Sequence, residues 1–182
     1  MTTVHDVIAG RRTIQRFRPG TVPDEVLERA LVAAQHAPNH KLTWPWRFVV
    51  PGPVTRELLF AVGLRLKSAK KGASAELEAS VRRNMLVPDR LVVVVQRIDA
   101  DPARAEEDYA ACAAAVQNLM LSLHADGFGS KWGTGGTLRD PEAREALGLS
   151  ADERAIAFVW IGVPEIVPTP PPRPAGRVTH LP

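Results

Sequence analysis

Arg11-Arg12-Thr13 sets two guanidinium groups beside a hydroxyl. Guanidinium forks match the oxygens of a phosphate, and the hydroxyl adds a further donor. On composition alone a solvated basic surface is the better reading of that triplet. A second cluster spans residues 37–46, Ala-Pro-Asn-His-Lys-Leu-Thr-Trp-Pro-Trp, where Pro38 and Pro45 bracket His40 and Lys41. It reads equally as a rigid corner whose tryptophans fill the core and as a fixed loop presenting polar donors. A third cluster, Gly129–Gly136, places Trp132 among glycines that let backbone approach a ligand closely. A planar, phosphorylated aromatic ligand would use all three features.

Other chemistries lack their residues. No CxxC, HExxH or Asp-rich calcium loop occurs, so no metal site is expected. There is no GxSxG, and the one cysteine, Cys112, lies in an alanine-rich apolar run that suggests an inert buried thiol. Gly133-Thr134-Gly135-Gly136 is not a GxGxxG turn, and GxxxxGK[ST] is missing. The net charge of +3 is too small to imply nucleic acid, and no apolar run approaches a membrane span. A basic module that stacks single-stranded nucleic acid on aromatics ranks last. MTTVHDVIAGRR lacks the apolar stretch of a secretion signal, so a cytoplasmic protein is expected.

The elements that must position these clusters follow from periodicity and punctuation. The 182 residues suit one domain, with 45% apolar and 24% charged residues as in ordinary globular proteins. Val4–Gly10 is a short helical lead-in. Thr21 is a candidate cap and Pro23 a first-turn residue for a helix carrying Val26, Leu27, Ala30, Leu31 and Ala34, which ends at Ala37-Pro38. Arg47–Val50 reads as a strand and Thr55–Arg65 as a helix. Residues 66–88 read as a mobile region with a helix around Ala75–Met85. Leu91–Val95 and Ala155–Val163 are apolar strands. Glu106–Ala125 is a helix apolar on almost every side, expected to be central or at a subunit contact. Gly129–Gly136 is glycine-rich around Trp132, with Gly133–Gly136 reading as a flexible turn, and Asp140-Pro141 opens a short helix ending at Gly148. The proline-rich remainder, 164–182, is an extended arm. The pattern is α+β.

Arg11-Arg12-Thr13-Ile14-Gln15-Arg16-Phe17 with Val22-Pro23, Ala37-Pro38, Pro45-Trp46-Arg47-Phe48, Gly127-Phe128-Gly129 with Trp132, and Leu147-Gly148-Leu149 leading to Ile161-Gly162-Val163-Pro164 together resemble the FMN-dependent nitroreductase family, in its compact YdjA-like branch. The resemblance runs from about Val7 to about Pro164. It implies a three-layer fold with a central mixed or antiparallel sheet flanked by helices, and a homodimer with FMN at the subunit interface. It also implies an NADH- or NADPH-dependent oxidoreductase that reduces nitroaromatics, quinones or similar acceptors by a ping-pong mechanism, with the flavin rather than a side chain as catalyst. By the same resemblance, Arg11, Arg12 and Thr13 bind the phosphate and ribityl side, and Gln15 lies near the ring. His36 and His40 reach in from the partner, and Trp132, Gly133 and Thr134 line the ring. The arm wraps the neighbouring subunit, with Arg173 or Arg177 approaching the phosphate. Gln15, Leu42 and Trp44 depart from the polar or cationic residues common in the family, with His40, Lys41 or Arg16 available to compensate. A flavin-binding or storage protein without reductase activity is the alternative.

Overall fold

Leu91–Val95, five aliphatics in a row, form the heart of strand β3 (Arg90–Arg97) in the computed structural model, which describes residues 3–181. Alternate side chains of a strand point to opposite faces. Val92 and Val94 therefore join one core, while Leu91, Val93 and Val95 join another. Strand β5 (Glu153–Pro164) pairs antiparallel with β3 and alternates the same way, with a register shift between Val94 and Val95. A strand buried on both faces needs cover on both, and that requirement makes the molecule three layers deep.

One covering layer is α2 (Asp24–Gln35) packed against α5 (Pro102–Ala125). The other contains α3 (Pro53–Lys71), α4 (Ala75–Leu86) and α6 (Pro141–Ala146). A short helix, α1 (Val4–Gly10), starts at a capping box between Thr3 and Asp6. The five-stranded sheet runs β1 (Phe17–Arg18), β5, β3, β2 (Trp46–Val49), with β4 (Gly129–Gly133) also pairing to β5. All strand pairings are antiparallel, so the α+β class and the antiparallel form of the expected sheet are those found. Among the described residues, no helix is long and apolar enough to cross a membrane.

Several local expectations need correction. Thr21 does not cap α2. Pro23 occupies that position without a side-chain bond, and the acidic residues of the first turn supply the favourable charge. The region 66–88 is largely helical. α3 continues to Lys71 before Gly72 ends it at φ 82°, and Ser74 caps α4 through Leu77 N–H. Its charged residues face outward, which weakens the apolar period without breaking the helix. Gly129–Gly133, read from the sequence only as glycine-rich, is a strand, because β5 supplies its hydrogen-bond partners. Cys112 is fully buried, and burial followed by the nearby Asp108 pushes its thiol up to about 12, so it is inert as a nucleophile.

Arg47 of β2 clamps the beginning of β5, donating to the Glu153 carboxylate at 2.8 and 2.6 Å. These bonds, with a Ser150 N–H, pull the Glu153 carboxyl down to about 2 from its ordinary 4.5. A lowered carboxyl pKa stabilises the fold above the unfolded value and ceases to do so as pH falls through the folded one. Glu153→Gln is therefore expected to lower Tm at neutral pH and to flatten the dependence of Tm on pH between about 4.5 and 2. Thermal melts across that window check it, and an unchanged acid slope would contradict the pairing.

Candidate functional site

The segment carrying the arginine pair leaves α1 and runs beside β4. Thr13 bridges Ser130 in parallel, and Ile14 N–H donates to the Ser130 carbonyl at 3.0 Å. Ile14 is buried and anchors the segment, leaving Thr13 and Gln15 exposed on either side of it. Arg12 donates to the carbonyls of Ala9 and Arg11. Arg11 is half-buried, and among the described residues no carboxylate pairs with it. Burial, then Arg12, then Arg173 push its pKa down. The neighbouring His124 is pushed down by burial and by the same two arginines, Arg11 and Arg12. Three guanidiniums thus converge with no counter-charge among the described residues, which is a poor arrangement for stability and a good one for a phosphate.

The arm explains how Arg173 arrives. Arg16 forms a two-pronged ion pair with Glu165 at 2.9 and 3.0 Å, and Glu165 N–H donates to the Arg16 carbonyl. The chain leaving β5 is thereby steered back along the N-terminal segment. Pro168–Pro174 lie over the Arg11–Thr13 of their own chain, with a space of about 410 Å³ between. Arg173, rather than Arg177, is the arm residue that acts on Arg11. Arg16 is paired with Glu165.

Gln15, Gly133 and Thr134 do come together. They line a cleft of about 540 Å³ between β4 and the α3–α4 layer. The register of β4 decides which neighbours face it. Lys131 lies opposite Trp160 and Gly133 opposite Phe158, so both face the cleft. Trp132 lies opposite Val159 and packs into the α2–α5 core on the other face. Its side chain is therefore not brought to the cleft with Gly133 and Thr134, although all three were grouped by sequence. Gly133 is required there, since a Cβ would stand 2.3 Å from Cζ3 of Trp160. Lys67, Lys70 and Lys131 complete the lining, none of them singled out for this cleft by the sequence. Only the β4–β5 register shows that Lys131 joins the two α3 lysines.

His36 and His40 are elsewhere in the same chain. Both are exposed, at the end of α2 and in the short turn that follows. His40 lies 3.4 Å from Glu107, near the start of α5, while His124, near its end, abuts Gly10 beside Arg11. Seventeen residues of helix separate Glu107 from His124, about 25 Å along the axis. One copy of the chain cannot bring His40 and Arg11 to one small ligand.

The loop carrying His40 is strained. Lys41, Leu42 and Trp44 hold φ of 60°, 51° and 47°, a region costly for residues other than glycine. A polar network holds it. Asn39 donates to Thr43 at 2.9 Å and accepts Trp44 N–H at 2.7 Å, while Thr43 donates to Asp108, which is 4% exposed. The consequence is that Leu42 and Trp44 project outward, 66% and 56% exposed. Trp44 stacks edge-on against Trp46 rather than filling the core. The strain is thus maintained by a dedicated polar network under an exposed apolar loop.

The Nitroreductase family model matches residues 8–163. The chain belongs to the nitroreductase family. It is 33% identical over 170 residues to YfhC of Bacillus subtilis, a candidate NAD(P)H nitroreductase, covering 92% of this chain and 87% of that one. Its fold is similar to a nitroreductase-like family protein of Bacillus cereus, with a TM-score of 0.82, 28% identity and coverage of 96% and 92% of the two chains. It is also similar to a candidate nitroreductase of Desulfovibrio desulfuricans solved in complex with FMN, with a TM-score of 0.72, 25% identity and coverage of 96% and 93%. As a member of the nitroreductase family the chain is an oxidoreductase.

Proposed function

We propose that two copies of this chain form a homodimer in the cytoplasm that binds FMN at each subunit interface and uses it to pass reducing equivalents from NADH or NADPH to electron-poor acceptors such as nitroaromatics or quinones. The observation that carries this reading is the convergence of Arg11, Arg12 and Arg173 without a carboxylate, continuous along β4 with the Gln15–Gly133–Thr134 cleft. A phosphate would supply the missing negative charge, and the cleft has the volume for a planar ring. The Desulfovibrio relative, solved with FMN, supports the choice of cofactor.

When bound, FMN supplies the redox chemistry, accepting hydride from the nicotinamide and yielding electrons to the acceptor in a separate half-reaction. The chain's own residues hold and tune it. Arg11, Arg12 and Arg173 neutralise the phosphate, and the Thr13 hydroxyl adds a donor. Gln15 offers its amide at the ring edge, and Gly133 and Thr134 let backbone lie close to the ring. His36 and His40 serve the site of the other subunit, because their own Arg11 is out of reach along α5.

Anaerobic titration of the purified yellow protein with NADH and with NADPH tests this reading. Bleaching of the flavin band at one equivalent per bound FMN is expected. A colourless protein would refute flavin binding. A yellow protein that neither nucleotide bleaches would favour a flavin-storage role, which the Gln15, Leu42 and Trp44 departures motivate.

A further inference from the structure

The cleft between β4 and α3–α4 carries three ammonium groups, Lys67, Lys70 and Lys131, and no Asp or Glu. The absence of acids is local. Arg65, on the same helix two residues earlier, holds both Asp140 and Glu142, and Arg16, Arg29, Arg47 and Arg90 each have a carboxylate. Among the described residues none of the three cleft lysines has an ion-pair partner. Lys67 and Lys70 are one turn apart on α3 and so share a face. Lys131 faces them from β4, its Nζ 5.8 Å from the centre of the Trp160 ring. Burial, then Lys67, push the Lys131 pKa down, as expected of cations gathered without a counter-charge. The rest of the lining includes Leu66, Met85, Phe158 and Trp160, an apolar floor suited to an aromatic ring.

We propose that this cleft selects electron acceptors that are aromatic anions, with Lys67, Lys70 and Lys131 receiving a carboxylate or phenolate while the reducible group is held toward the flavin. The proposal rests on the function proposed above and adds the charge class of the acceptor. For a nitroaromatic acid, the nitro group takes up two electrons and two protons from the reduced cofactor and loses one oxygen as water, leaving a nitroso group. The carboxylate is unchanged and stays on the lysines. The 2′-phosphate of NADPH is the other anion that such a cluster could read, and the adenine on the same ribose could use the same apolar floor, so the test includes an outcome that separates the two.

The test compares para-nitrobenzoate with its neutral counterpart, para-nitrobenzamide. Dissociation constants for the oxidised holoenzyme are read from perturbation of the flavin absorption band, and reoxidation rates are measured after reduction with dithionite, without any nicotinamide. The wild-type protein is expected to favour the anion roughly tenfold in affinity, a preference compressed by salt. In the Lys67→Gln/Lys70→Gln variant the anion-to-amide ratio falls toward one. In Lys71→Gln, on the same helix but outside the cleft lining, the ratio is retained. Equal binding of the two compounds by the wild type, or a ratio the double variant leaves in place, would overturn the proposal. A variant that loses its NADPH-over-NADH preference but keeps the acceptor ratio would overturn it in favour of the nucleotide phosphate. A preparation with no flavin spectrum, seen before any acceptor is added, would instead refute the function on which the proposal rests, and the proposal with it.

Discussion

Replacing Arg11 and Arg12 together by alanine is expected to weaken FMN binding about a thousandfold, each charge-assisted phosphate contact being worth roughly 1.5–3 kcal/mol. The apoprotein should lose little stability, because relief of the repulsion between two cations with no acidic partner among the described residues offsets the bonds that Arg12 gives to the carbonyls of Ala9 and Arg11 at the exit of α1. Removing the two cations also relieves their effect on His124, whose pKa should rise toward its ordinary value. Fluorescence titration of free FMN gives the affinity, and a thermal melt of the apoprotein gives the stability. An affinity within about threefold of the wild type would remove the phosphate from this place.

Gly133→Ala is expected to have the largest effect of any single methyl group. The added Cβ would lie 2.3, 3.0 and 3.4 Å from three atoms of one Trp160 ring. That ring cannot slide away freely. It is 9% exposed, packs against Phe158 with centroids 5.3 Å apart, and has Lys131 over its face. Overpacking of this kind costs about 2–3 kcal/mol, which for a chain of this length lowers Tm by roughly 5–10 °C. The same shift moves β4 against the cleft, so FMN affinity should fall in the surviving folded protein. Gly176→Ala, in the arm with open space around it, is the control and should change neither quantity. A Gly133→Ala protein that melts with the wild type would show that the Trp160 packing is loose.

How much of this was legible in the sequence depended on the physical origin of each element. β3, β5 and α5 could be read directly, because uninterrupted apolar runs carry their own signal, although α5 begins at Pro102, capped by Asp101, about one turn before the expected Glu106. β4 could not. Gly-Ser-Lys-Trp-Gly has no β-branched residue, and its extended form comes from pairing with β5. The failure to see β4 propagated to the site. Without the strand's alternation, Trp132, Gly133 and Thr134 looked like one surface, whereas Trp132 and Gly133 sit on opposite faces of the sheet. Lys131 was missed for the same reason, and Lys67 and Lys70 fell in a stretch read as mobile, beyond a helix expected to end at Arg65, whereas α3 carries both. Arg11, Arg12 and Thr13 were legible only through the family motif, since basic surface residues in general look the same. The loop after α2 was recognised as rigid from Pro38 and Pro45, but its stiffness comes as much from Asn39, Thr43 and Asp108, a contact sixty-five residues apart in sequence.

The central claim is that each FMN is held by Arg11–Thr13 of one copy and His36 and His40 of the other. It is tested most directly by mixing two defective proteins, Arg11→Ala/Arg12→Ala and His36→Ala/His40→Ala, and isolating the mixed dimer. One of its two sites combines both defects, and the other combines none. The expected stoichiometry is one tightly bound FMN per mixed dimer, with weakened binding in either parent dimer. A mixed dimer that binds no FMN tightly, or a His36→Ala/His40→Ala parent that binds like the wild type, would contradict a site shared between two copies.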